Sequence, residues 1–414
     1  MNFRTFPALC ACLLFAAALS AQPAVRTGID VLKARQFDLL KGKRVGLITN
    51  PTGVDATLQS TIDVLFKAQD VKLVALFGPE HGVRGDYAAG DRVDTYTDTR
   101  TGLPVYSLYG KTRKPTSEML EGIEALVYDI QDNGCRSYTY ISTMGLAMEA
   151  AAAAKIPFIV LDRPNPLGGE RIEGNLVEKR FTSFVSQFPI PYVYGLTCGE
   201  LARYLNGEQL LADGLTCDLT VVPMQGWKRS MTFPGTGLEW VPPSPHIPRD
   251  ISSFYYVCTG VLGELGVISE GVGYTLPFQT LAAEWIDPGM LAERMNALRL
   301  SGVTFRPITF KPFYGRATGE ALHGIQIHLT EPARVNLLSI QFLFMQVHHE
   351  LYPDKNPFTL ADPSRISMFD KVAGTDRVRQ VFSTRMRYED VRPLLEKDVE
   401  WFREKAKGYW LYFP

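Results

Sequence analysis

The amino-acid sequence predicts an α/β protein with a Rossmann-like, mostly parallel sheet domain followed by a smaller α+β auxiliary domain. In the first half, short segments rich in Val, Leu and Ile alternate with segments whose apolar residues recur at helical spacing. Each short apolar segment ends in a polar turn that contains Gly, Pro or Asn. This alternation of strands and helices is typical of a parallel sheet that carries helices on its faces.

The elements follow in a regular order along the chain. Strands are predicted at 44–49, 71–77, 103–108, 125–130, 157–161 and 217–223. Between them, helices are predicted around 58–66, 116–123 and 142–155, and a further helix begins where Thr197 and Glu200 form a capping-box pattern. The second half has helices around 288–298, 336–350 and 391–407, and strands near 303–310 and 324–329.

The N-terminus has the pattern of a secretory signal peptide. Arg4 precedes an apolar run over 6–19, and the small residues Ser20 and Ala21 follow it. The run is short for a membrane span, and an uncleaved N-terminal anchor is the alternative. A Pro- and Gly-rich stretch at 233–248 is typical of a domain junction or of a structured loop. We therefore predict a signal peptide at 1–21, a catalytic domain at 22–230 and an auxiliary domain at 231–414, exported to the periplasm or the cell exterior.

Composition and motifs exclude several classes of function. With 43 basic and 44 acidic side chains, the net charge of −1 gives no electrostatic reason to expect a nucleic-acid partner. No Gly-x-Gly-x-x-Gly follows the first strand, and a phosphate loop ending at Gly110-Lys111-Thr112 would need glycine where Val105 stands. No His-Glu-x-x-His occurs, and beyond the N-terminus no apolar stretch is long enough to span a membrane. We therefore expect no cofactor, no metal and no integral membrane span in the mature chain.

Polar residues cluster in the turns that follow the predicted strands. Because parallel strands share their carboxyl edge, these turns should meet at one crevice, where ligands bind in such sheets. Ordinary surface turns are the alternative. The candidates for contacts with a substrate at this edge are Asn50, Arg84, Gln131, Arg136, Tyr138, Asp162, Arg163 and Asn165.

The same turns contain the residues for carboxylate chemistry. Glycoside cleavage needs an acid and a second carboxylate or its equivalent. Glu80 lies at a strand end beside His81. Asp129 and Asp132 bracket Gln131 at the end of the strand predicted at 125–130. These acidic residues also have structural alternatives. Glu80 can cap a loop, and either Asp129 or Asp132 can hold Arg136. Asp162 can form an internal ion pair with Arg163.

Three segments, 77–82, 128–140 and 161–169, resemble the characteristic segments of the NamZ family of exo-β-N-acetylmuramidases. Weaker matches lie at 240–245, 269–271, 277–278 and 310–313. The resemblance extends from about Gly28 to the C-terminus. One departure is Val272, where the family pattern leads us to expect arginine, and another is His246, where we expect asparagine.

The resemblance implies a cleft between two domains that releases N-acetylmuramic acid from the non-reducing end of peptidoglycan fragments, without metal or nucleotide. It implies that Glu80 is catalytic, assisted by His81. Asp129, Asp132 or Glu270 of the second domain would be its partner. We also expect His246 to contact the substrate.

The substrate has two features that a binding site can recognise. Its lactyl carboxylate suits arginine, and its sugar rings suit aromatic faces. The expected arginines are Arg84, Arg136 and Arg163, and the expected aromatic residues are Tyr138, Tyr140, Trp240 and Tyr274. Two rival functions remain: a non-catalytic muropeptide-binding envelope protein, and another cell-wall hydrolase such as an amidase.

Overall fold

The computed structural model describes residues 25–85 and 95–413, so the predicted signal peptide lies outside the described residues. The first domain is built on a seven-stranded sheet in the order β3-β4-β2-β1-β5-β6-β7, parallel except for the edge strand β3. Its strands are β1 (Arg44–Thr49), β2 (Lys72–Gly78), β3 (Tyr96–Thr97), β4 (Pro104–Ser107), β5 (Ala125–Asp129), β6 (Phe158–Leu161) and β7 (Leu219–Val222). The predicted parallel sheet is confirmed, and β3 is an addition to it.

Among the described residues of this domain, the α-helices are α1 (Gly28–Ala34), α2 (Thr61–Lys67), α3 (Tyr140–Ala154) and α4 (Cys198–Gly207). The capping box of α4 is confirmed, because the Thr197 side chain accepts from the Glu200 amide and the Glu200 side chain accepts from the Thr197 amide. The helix predicted at 116–123 is a series of turns instead. Gly122 adopts a left-handed φ of 71° there, which ends the segment before a regular helix forms.

The order of the strands determines where a crevice forms. β1 pairs with β2 on one side and with β5 on the other. From β1 the chain continues to β2, and from β5 it continues to β6 in the opposite direction along the sheet. At such a switch point the connecting segments diverge beyond the carboxyl ends of the strands and leave room for a ligand. The turns after β1, β2 and β5 therefore border the same space.

The second domain contains a three-stranded antiparallel sheet in the order β8-β10-β9 and most of the remaining helices. Its strands are β8 (Thr280–Ala283), β9 (Val303–Phe310) and β10 (Leu322–Leu329). The helices that follow α4 along the chain are α5 (Ser252–Gly263), α6 (Pro288–Ala297), α7 (Ser339–Leu351), α8 (Pro357–Leu360), α9 (Pro363–Ala373), α10 (Arg377–Arg385), α11 (Tyr388–Glu396) and α12 (Val399–Ala406). Among the described residues, no helix is long and apolar enough to cross a membrane.

The C-terminal segment returns to the first domain. The single helix predicted at 391–407 is divided into α11 and α12, and the Asp398 carboxylate between them accepts a hydrogen bond from the Leu176 amide at 3.1 Å. Phe402 of α12 is buried against Tyr204 of α4, with ring centroids 5.3 Å apart. The end of the chain thus belongs to the core of the first domain, which a helical pattern alone does not reveal.

Candidate active site

Glu80 lies in the tight turn that follows β2, and its side chain is half-buried. His81 has a φ of 73° and Gly82 a φ of 75°, and the Gly82 amide closes the turn on the Pro79 carbonyl at 3.0 Å. A left-handed conformation costs a non-glycine residue about 1–2 kcal/mol, and such strain is concentrated at functional turns. The turn holds Glu80 at the carboxyl edge of the sheet.

Hydroxyl groups surround the Glu80 carboxylate. Thr139 donates to its Oε2 at 3.0 Å, and the Tyr109 hydroxyl also donates to it. Burial and the negative charge of Glu80 raise the pKa of Tyr109 to about 12. The same charge contributes to the raised pKa values of Tyr140 and of Tyr256, which belongs to α5 of the second domain. Glu80 therefore faces a space bordered by both domains.

Asp132 is a second carboxyl group at this edge, and it is buried. Its Oδ2 accepts hydrogen bonds from the Gly134 amide at 2.7 Å and from the Tyr194 hydroxyl. Its Oδ1 is buried without a partner among the described residues, and burial raises the pKa of Asp132 to about 6. The Tyr140 hydroxyl, which donates to the Pro243 carbonyl, lies within electrostatic reach of both carboxyl groups. The Asn50 Oδ1 accepts from the Thr52 amide at 3.0 Å, and its Nδ2 is buried without a partner among the described residues.

Asp129 forms a buried ion pair with Arg163. The Arg163 Nε lies 2.5 Å from Oδ1 and its Nη2 lies 3.0 Å from Oδ2, while Thr61 donates to Oδ2 at 2.5 Å. Arg163 also donates to the Val54 carbonyl at 2.7 Å. Both oxygens of Asp129 are thus occupied, and the pair ties the ends of β5 and β6 to the loop that follows β1.

Asp162 is also enclosed by donors. Its Oδ1 accepts from the amides of Arg163 at 3.0 Å and Gly199 at 2.7 Å. Its Oδ2 accepts from the hydroxyls of Thr197 at 2.7 Å and Tyr412 at 2.6 Å, and burial raises its pKa to about 6. This carboxyl group anchors the start of α4 and the C-terminus, and its expected contact with a substrate stays a prediction.

Two buried amide side chains shape the loops in the same way. The Asn165 Oδ1 accepts from the Leu167 amide at 3.0 Å, which closes a local turn. The Gln131 Nε2 donates to the Pro164 carbonyl at 2.7 Å and so joins the turns after β5 and β6. The expected contacts of Asn165 and Gln131 with the substrate stay predictions.

Two of the expected arginines have protein partners as well. Arg84 holds Asp98 through two hydrogen bonds of 3.0 Å. Arg136 is fully buried and donates to two carbonyls of the first domain, at 2.7 Å each, and to the Val372 carbonyl of the second domain at 2.9 Å. Burial lowers the pKa of Arg136 to about 10. These donors are used within the protein.

The imidazole of His246 meets an aromatic side chain of the second domain. The His246 Nε2 lies 2.7 Å from the Tyr314 hydroxyl, and the two rings are stacked with centroids 6.0 Å apart. Burial, and to a smaller extent the nearby His81, lowers the pKa of His246. Phe313 and Tyr314 are 68% and 51% exposed and form an aromatic rim at this place.

A pair of glutamates occupies the second domain. Burial raises the pKa of Glu270, and burial together with the charge of Glu270 raises the pKa of Glu264 to about 7. The charge of Glu264 in turn contributes to the raised pKa of Tyr256. Repulsion between two carboxylates favours protonation of one of them.

Several residues of this site were missed by sequence reasoning. Tyr109 had a usable signal, because it follows a predicted strand in the same way as Glu80 does. Tyr138 was expected, and its ring packs edge-on against Tyr140 at 5.0 Å and against Tyr256 at 5.8 Å. Tyr256 had no signal, since it lies within a helix of a different domain and reaches the site only through the fold.

Carboxyl groups that converge with hydroxyl groups in an interdomain crevice place this protein in the class of two-domain α/β glycosidases. The chain belongs to the NamZ family. The family model described as "Exo-beta-N-acetylmuramidase NamZ, N-terminal" matches residues 45–251, and the corresponding C-terminal model matches residues 254–412. The two models meet between 251 and 254, whereas the sequence analysis placed the domain boundary at 230/231.

Individual relatives agree with this assignment. The chain is 46% identical over 391 residues to the peptidoglycan beta-N-acetylmuramidase NamZ of Bacillus subtilis (strain 168), covering 94% of this chain and 92% of that protein. Two crystal structures of DUF1343 family proteins from Bacteroides fragilis NCTC 9343 are similar in fold. One has a TM-score of 0.91 at 58% identity and the other 0.75 at 28%, and each match covers 94% of this chain and 99% of that one. The predicted family membership is confirmed.

Proposed function

We propose that this protein is an exo-acting β-N-acetylmuramidase that releases N-acetylmuramic acid from the non-reducing ends of peptidoglycan fragments, with Glu80 as its general acid. The observation that carries the proposal is the placement of Glu80, which extends from the turn after β2 and is oriented by hydroxyl donors from Tyr109 and Thr139. Glycosidic bonds need a proton on the leaving oxygen, and a carboxyl group supplies it. We further propose that the activity serves turnover or recycling of the cell wall.

Asp132 is our choice for the second carboxyl group. Both oxygens of Asp129 are bound to Arg163 and Thr61, whereas the Oδ1 of Asp132 has no partner among the described residues. A pKa of about 6 leaves Asp132 mainly ionised at neutral pH. Its unpaired Oδ1 is enclosed by protein, so we propose that a water molecule or a hydroxyl group of the sugar reaches it when the substrate binds.

The activity is tested with two chromogenic substrates, a β-N-acetylmuramide and the matching β-N-acetylglucosaminide. We expect release of the chromophore from the muramide alone, because an exo-muramidase distinguishes the lactyl group. Release of a peptide from muropeptides, with the sugar left intact, would favour an amidase. Binding of muropeptide fragments without any turnover would favour a non-catalytic envelope protein.

The role of Asp132 predicts a specific pH dependence. The Tyr194 hydroxyl stabilises the ionised carboxylate, so Tyr194→Phe raises the pKa of Asp132 above its value of about 6. If the ionised form is required, kcat/KM falls as the pH drops through this pKa, and the variant moves this acid limb to higher pH. The measurement is the pH profile of kcat/KM for both proteins.

Tyr412→Phe is the matched control for that experiment. It removes the equivalent phenol from Asp162, whose pKa is also raised to about 6, and it should leave the acid limb in place. If the acid limb of the kcat/KM profile moved in Tyr412→Phe and not in Tyr194→Phe, Asp132 would be rejected as the group whose ionisation sets that limb.

Export is proposed from residues 1–21, whose charged start, apolar run and small-residue exit have the signal-peptide pattern. When the full chain is expressed in a Gram-negative host, we expect the protein in the periplasmic fraction with Gln22 as its first residue. A chain that starts at Gln22 without the leader should stay in the cytoplasm. Retention of Met1 on periplasmic or membrane-bound protein would instead indicate an uncleaved anchor.

A further inference from the structure

The proposed substrate poses a recognition problem that the expected arginines do not solve. N-acetylmuramic acid differs from N-acetylglucosamine by the lactyl ether on C3, which ends in a carboxylate. Carboxylates are recognised by a cation with free donors. Arg84 holds Asp98, Arg163 holds Asp129, and Arg136 is buried among backbone carbonyls. Another cation must therefore provide this contact.

We propose that Arg113 binds the lactyl carboxylate of the substrate, an inference that rests on the proposed muramidase function. Arg113 lies in the polar turn that follows β4, and its guanidinium carbon is 4.5 Å from the centroid of the Phe184 ring. Its side chain is exposed, and within 25–85 and 95–413 no carboxylate lies at ion-pair distance from it. The donors of this guanidinium are available to a ligand.

A chain of contacts connects Arg113 to the proposed acid. The Phe184 ring packs against Tyr109 with centroids 6.1 Å apart, and the Tyr109 hydroxyl donates to Glu80. The positive charge of Arg113 opposes the rise in the pKa of Tyr109, so its field reaches that hydroxyl. The lactyl oxygen is on C3, two carbons from the anomeric carbon at which Glu80 acts. The side chains of Phe184 and Tyr109 lie between this cation and the acid, and we infer that this separation suits the span from the glycosidic oxygen to the lactyl carboxylate.

The contact with Phe184 also suits the chemistry of carboxylate recognition. A guanidinium that lies over an aromatic face keeps its planar edge free for two parallel hydrogen bonds to a carboxylate. Phe184 is buried, so it provides a fixed support and reduces the side-chain freedom that binding would otherwise remove. Lysine at this position would keep the charge and lose the paired geometry.

The test compares two substrates that differ only in charge. One is a chromogenic β-N-acetylmuramide, and the other is the same compound with its lactyl carboxylate converted to the carboxamide. We expect Arg113→Gln to lower kcat/KM for the carboxylate substrate by roughly 10- to 100-fold, the usual effect of losing a charged hydrogen bond. The carboxamide should be cleaved within about twofold of wild type, and Arg113→Lys should recover part of the loss.

Lys111→Gln is the matched control, because it removes the same charge from the same exposed turn. It should leave the preference for the carboxylate unchanged. Equal losses on both substrates in Arg113→Gln, no loss on either, or a carboxylate-specific loss in Lys111→Gln would each overturn the proposal. Failure of wild type to cleave either substrate would instead reject the proposed muramidase function.

Discussion

Replacing Glu80 with glutamine is expected to lower kcat for muramide hydrolysis by at least ~100-fold, the usual scale for losing a general acid. Glutamine keeps the size of the side chain and accepts hydrogen bonds from Thr139 and Tyr109, yet it has no carboxyl proton to give. The measurement is kcat with a disaccharide substrate, whose sugar leaving group depends strongly on protonation. The loss should be smaller with a nitrophenyl leaving group, which departs with little help.

The control for this experiment is Glu121→Gln, which alters an exposed glutamate of the same domain. It should leave kcat unchanged. Near-normal turnover of the disaccharide by the Glu80 variant would remove Glu80 from the mechanism and return the choice to the carboxyl groups of Asp132 and Glu270.

Replacing Glu200 with alanine is expected to lower the free energy of unfolding by about 3–5 kcal/mol, because it leaves a buried cation without its counter-charge. The Arg229 Nη1 lies 2.7 and 2.9 Å from the two oxygens of Glu200, and both side chains are at most 1% exposed. Arg229 also lies 4.0 Å from the Trp410 ring centroid. The pair thus joins the start of α4 to the C-terminal segment.

Urea denaturation of wild type and variants measures this effect. Glu350→Ala is the control. The side chains of Glu350 and Arg294 form an ion pair and are 44% and 49% exposed, so this pair should contribute less than about 1 kcal/mol. A Glu200 variant no less stable than the Glu350 variant would show that the buried pair does not hold the C-terminal segment in place.

The sequence predicted the six main strands of the parallel sheet and the edge at which the site lies. These features depend on local patterns: apolar runs of strand length, and the capping box at Thr197 and Glu200. The placement of Glu80 at a strand end followed from the same pattern. The sequence did not distinguish side chains that face the crevice from those that form ion pairs within the protein, because Asp and Arg occur in both roles.

What the sequence determined by itself is therefore the α/β fold, the family and the polar edge of the sheet, since each is encoded in contiguous residues. Only the tertiary structure decided which polar groups are left without a partner inside the protein. Arg136 binds the carbonyl of Val372, 236 positions away, whereas Arg113 rests on Phe184 with its donors free. Tyr256 reaches the crevice from another domain. Pairing between distant residues depends on how the two domains pack, and a buried charge takes whatever partners that packing brings within hydrogen-bond distance.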